Sequence, residues 1–73
     1  MDKFSSMRPD IIIERVSGCH IFSGETLEGR QWIESRKASP AIERIGRSIS
    51  VEDERLARDL AASAIADGLD VME

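Results

Sequence analysis

The sequence predicts an α+β domain, a two-layer α/β arrangement of β(β)αβαβ order with two helices packed on one face of a small three- or four-stranded mixed sheet. Three observations predict it. A β-branched run opens at Ile11-Ile12-Ile13. An apolar helical face centres on Trp32. The last third reads as strand, capped alanine-rich helix, glycine stop and closing strand.

Ile11-Ile12-Ile13-Glu14-Arg15-Val16 reads as a strand, and Ser17-Gly18 is a two-residue turn signal. Cys19-His20-Ile21-Phe22-Ser23 then returns as a second strand, or continues as one long strand kinked at Gly18; the pattern admits both. Gly24 ends the extended segment. Thr26 is placed to cap a helix from Leu27 to about Lys37, with Glu25 and Glu28 at its positive end and Arg36 and Lys37 at its negative end. Pro40 stops that helix. Gly29, Trp32, Ile33 and the stem of Arg36 share one face, and Gly29 there implies a close approach to the sheet beneath.

Ile42 to Val51 holds the next strand, with Ile45, Ile49 and Val51 of one parity and a bulge at Gly46 turning Arg47 outward. Ser50 is expected to cap the second helix, with Asp53 completing a capping box. Leu56, Ala57, Leu60, Ala61, Ala64 and Ile65 form its apolar stripe. Gly68 supplies the stop, and Leu69 and Val71 alternate with Asp70 and Met72 as a short final strand. Residues 1–9 read as a flexible arm and residues 10–73 as one domain.

Seventy-three residues sit near the lower limit for a self-sufficient core, so a homodimer covering extra apolar surface fits the size. One cysteine allows no internal disulfide, and with no apolar leader the expected location is the cytoplasm. No apolar run approaches the roughly 20 residues that span a bilayer, so no membrane partner is expected. The formal net charge is -4, with seven acids in residues 52–73 and the arginines concentrated between Arg30 and Arg47. That balance disfavours nonspecific phosphate binding and suits a basic protein surface. With three aromatic residues and no Tyr, a base-stacking platform is not expected.

Cys19 and His20 are neighbours, which in a strand puts them on opposite faces and apart as a nucleophile and its base. One Cys and one His are too few for a structural zinc, and Glu52-Asp53-Glu54 lacks the spacing of a calcium loop. The glycines form no phosphate or dinucleotide motif. No catalytic residue, metal or cofactor is therefore assigned.

Gly29-Arg30-Gln31-Trp32-Ile33, Ile49-Ser50-Val51-Glu52 and Leu60 through Val71 together resemble a type of short uncharacterised protein encoded by proteobacteria and their phages and plasmids. The resemblance covers about two-thirds of the chain and implies the βαβαβ order, with no activity to carry over. Gly18 to Glu28 is locally similar to the first strand-to-helix passage of HicB-type antitoxins; Gly29 and Trp32 depart from that family's alanine-rich helix, and the chain has no room for its DNA-binding segment.

The expected function is that of a noncatalytic protein-interaction module, such as a mobile-element accessory or inhibitor protein. Its partner would be another protein or a second copy. The alternative is a nucleic-acid-associated regulator of antitoxin type using Arg30, Arg36, Arg44 and Arg47. The candidate interaction surface comprises the sheet face away from the helices, including His20 and Phe22 if their strand turns them outward, and the basic edge at Arg44 and Arg47.

Overall fold

The structure is a computed structural model and describes residues 9–36 and 40–73. The arm expected over residues 1–9 therefore lies, apart from Pro9, outside the described residues, as does the expected helix end at Lys37. The elements are β1 (Ile11–Val16), β2 (Cys19–Gly24), α1 (Leu27–Arg36), β3 (Ile42–Ile45), β4 (Ser48–Val51), α2 (Glu54–Ala66) and β5 (Val71–Met72). They form an α+β fold with a five-stranded mixed sheet of order β3-β4-β2-β1-β5. Only the β1–β5 pairing is parallel.

The sequence reading undercounted the strands by treating residues 42–51 as one strand. They are a hairpin, in which Ile42 pairs with Val51 and Ile45 with Ser48. Gly46 takes a φ of +59° and is the first of two turn residues, the position where a type II′ turn requires glycine. A two-residue turn breaks the parity expected through it, so Ile45 projects from the opposite sheet face to Ile49 and Val51. Residues 11–24 likewise form a hairpin, resolving the two readings left open there.

The hairpins repeat one another. Ile13-Glu14-Arg15-Val16 and Ile42-Glu43-Arg44-Ile45 each run into a two-residue turn. Superposed on those turns, His20 matches Ile49 and Phe22 matches Val51. In the centre of the sheet His20 pairs with Val51, Ile21 with Ser50 and Phe22 with Ile49. That register is unchanged when the two hairpins are exchanged. The helices repeat too: Gly29, Trp32 and Ile33 are buried in α1, and Ala57, Leu60 and Ala61 at the same spacing in α2. The domain is thus two successive ββα units whose hairpins pair symmetrically about the Ile21–Ser50 pair, with β5 added outside β1.

Both helices cover one sheet face, where Ile11, Phe22, Ile49 and Val51 are fully buried. Trp32, Ile33, Ile42, Ala57, Leu60, Ala61 and Ala64 complete the core. α1 lies close on the sheet because Gly29 has no side chain; a Cβ there would overlap the Asp10 carbonyl oxygen. Thr26 caps α1 as expected, its hydroxyl accepting from the Gly29 amide at 3.1 Å. Ser50 does not cap α2, because it is paired inside β4; Asp53 does, accepting from the Arg55 amide at 2.9 Å and the Leu56 amide at 3.3 Å. At the other end Gly68, at a φ of +90°, closes a Schellman motif, with Gly68 N–H to Ile65 O and Leu69 N–H to Ala64 O. Ile65, expected on the buried stripe, is exposed.

Candidate interaction face

Strand alternation sorts the side chains of the sheet into two sets. Ile11, Ile13, Arg15, His20, Phe22, Ile42, Arg44, Ile49, Val51 and Val71 stand on the side of the helices. Ile12, Glu14, Val16, Cys19, Ile21, Ser23, Glu43, Ile45, Ser48, Ser50 and Met72 stand on the other. Among the described residues, no helix covers this second face.

Its chemistry mixes apolar side chains with serines and two glutamates. Val16, Ile45 and Met72 are 53%, 51% and 53% exposed, and Ile12, Cys19 and Ile21 are half-buried. The Ser23 and Ser48 hydroxyls hydrogen-bond each other at 2.9 Å across β2 and β4. One row crosses four strands as Glu14, Ile21, Ser50 and Glu43. Both glutamates are exposed, and neither takes part in an ion pair or side-chain hydrogen bond. No strand position on this face carries Lys or Arg.

The four candidate surface residues do not come together. Phe22 is a correction: it has no exposed surface and lies in the core, because its parity matches Ile49 and Ile11. His20 also faces the helices, half-buried in a shallow cavity of about 300 Å³ under the first turns of α2. Ile13, Ala57 and Ala61 line that cavity together with charges of both signs, Arg15 and Arg58 against Glu54 and Glu73. Arg58 is already paired with Glu54 at 3.2 Å, and the formal charges of the two arginines and two glutamates cancel. Arg44 reaches Glu34 of α1 at 3.1 Å and donates through Nε to the Gly46 carbonyl. Arg47 is exposed on the β3–β4 turn. Arg36 is also engaged, 4.7 Å above the Trp32 ring and 3.4 Å from Asp67.

Cys19 and His20 project from opposite faces of β2, the separation expected from their adjacency. Among the described residues no group of three or more His, Cys, Asp or Glu side chains is placed to hold a metal, and no helix is long and apolar enough to cross a membrane. Comparison with protein-family models, curated proteins and solved structures gives no match, so the reading rests on this geometry.

The residues that make the face, chiefly Ile12, Glu14, Val16, Ile21, Glu43 and Ile45, escaped the sequence reading. The signal was the alternation in β1, where Ile12, Glu14 and Val16 share a parity opposite to Ile11 and Ile13. The repeated Ile-Glu-Arg before each turn marks the same position in the second hairpin.

Proposed function

We propose that this chain is a noncatalytic interaction module that binds another protein through the sheet face that no described helix covers. One observation carries the reading: a face that leaves Val16, Ile45 and Met72 half exposed beside Ile12, Cys19 and Ile21. Apolar side chains gathered on one side of a small domain are the kind of patch that a partner covers. An accessory or inhibitor protein of a mobile element would use such a module in this way. The nucleic-acid reading draws less support, because Arg36 and Arg44 are engaged within the domain.

The test is paired capture. The natural chain and a Val16→Asp/Ile45→Asp variant are immobilised and exposed to the same lysate. A stoichiometric partner retained by the first and lost by the second supports the reading. A partner retained equally by both, when the variant keeps its fold by circular dichroism, removes this face from the binding.

A further inference from the structure

We infer that the partner presents a basic, apolar-centred segment, whose cations sit over Glu14 and Glu43 and whose apolar middle sits on Ile21. The inference rests on the interaction reading above and adds the chemistry of the occupant.

Glu14 and Glu43 are equivalent positions of the two ββα units, and they stand at the two ends of one cross-strand row. Three strand spacings separate them, about 14 Å. Between them lie Ile21 and Ser50, and beside Glu14 on its own strand lie Ile12 and Val16. The arrangement is a row in which Ile21 and the buried Ser50 separate two carboxylates, with Ile12 and Val16 flanking Glu14 along β1 and no cation on any described strand position of the face.

A partner that lies along the row over Ile21, from Glu14 to Glu43, takes both carboxylates out of water. An unpaired buried charge is strongly unfavourable, whereas a paired one is tolerated. Lys or Arg side chains about 14 Å apart across the partner's contact surface satisfy both. A second copy seated face to face does the reverse. It brings its own Glu14 and Glu43 into the same layer, four carboxylates with no strand-borne cation. The acidic net charge of -4 steers a basic partner toward the domain as a whole, and this face sets exposed Val16 and Ile45 beside Glu14 and Glu43, acids unpaired among the described residues and held by the sheet.

The experiment uses the full chain labelled with nitrogen-15 and two synthetic peptides with the same leucine-rich centre, one flanked on both sides by lysines and the other by glutamates, at physiological salt. The expected result is that the lysine peptide shifts the amide signals of β1, β2 and β4 around Glu14, Ile21 and Ser50. The glutamate peptide binds at least about tenfold more weakly. A Glu14→Gln/Glu43→Gln chain loses about tenfold toward the lysine peptide, a few-fold from each carboxylate. Equal binding of both peptides at this face overturns the inference while leaving the face as a docking surface. Shifts confined to the acids of α2, Glu54 and Asp59, overturn it, as does a concentration-dependent self-association that perturbs the same signals without peptide. No response of the face to either peptide removes both the inference and the docking reading.

Discussion

The carboxylate of Asp10 accepts a 2.6 Å hydrogen bond from the Thr26 hydroxyl, the same hydroxyl that caps α1. Its second oxygen accepts from the Asp70 amide at 2.9 Å, and its backbone carbonyl accepts from Glu25 N–H at 2.8 Å. One residue at the entrance of β1 therefore ties together the start of α1 and the approach to β5. Replacing Asp10 by Ala removes two charge-assisted bonds, and is expected to destabilise the domain by about 2–3 kcal/mol. Thr26→Ala should lower stability by about 1 kcal/mol. The double variant should lose less than the sum, since the two side chains share a bond. Urea denaturation of all four chains measures this directly; strict additivity would show the bond to be energetically silent.

Gly29→Ala ordinarily stabilises a helix by about 1 kcal/mol. Here the added methyl meets the Asp10 carbonyl, a backbone atom that cannot swing aside. The expected outcome is a loss of about 2–3 kcal/mol, read as a lower denaturation midpoint. A more stable variant would mean that α1 does not lie this close to the sheet.

Trp32 donates its indole N–H to Asp67 at 3.0 Å, joining α1 to the end of α2. Asp67→Ala should cost about 1 kcal/mol and alter the tryptophan emission, because Trp32 is otherwise buried. An unchanged spectrum would place the indole away from Asp67.

The two capping candidates separate cleanly. Asp53→Ala is expected to destabilise by about 1 kcal/mol. Ser50→Ala, at a buried strand position, should cost less than Asp53→Ala, because no helix amide depends on it. Calorimetry on the two variants decides between them, and the reverse ranking would return the cap to Ser50.

Sheet sidedness makes the sharpest contrast. Phe22→Ala opens the fully buried centre of the core and should cost about 3–5 kcal/mol, enough to unfold a domain of this size. Ile45→Asp, half exposed in a strand on the open face, should cost only about 1 kcal/mol. Comparable losses at both positions would contradict the assignment of the two faces.

Much of the fold was legible because local rules agree with the tertiary result. The Ser17–Gly18 turn, the Thr26 cap, the Gly29–Trp32–Ile33 face and the Gly68 stop each depend on residues within a few positions. The interaction face was less legible. Placing Glu14 and Glu43 in one row requires the β2–β4 register, a pairing of segments far apart in sequence. Phe22 illustrates the same limit: its strand was correctly read, but which side of the sheet the helices take is not written in the strand.

By itself the sequence determined most element types, their α+β class, the Gly68 stop and the close seat of α1, since each follows from short-range sterics, caps and periodicity. Only the tertiary structure decided that residues 42–51 turn back at Gly46, that Asp53 rather than Ser50 caps α2, and which side chains are left facing outward. The physical reason is common to all three. Backbone pairing across the sheet outranks local preference: it holds Ser50 in a strand, reverses the parity of Ile45, and leaves Glu14 and Glu43, among the described residues, without partners on a face that no described helix covers.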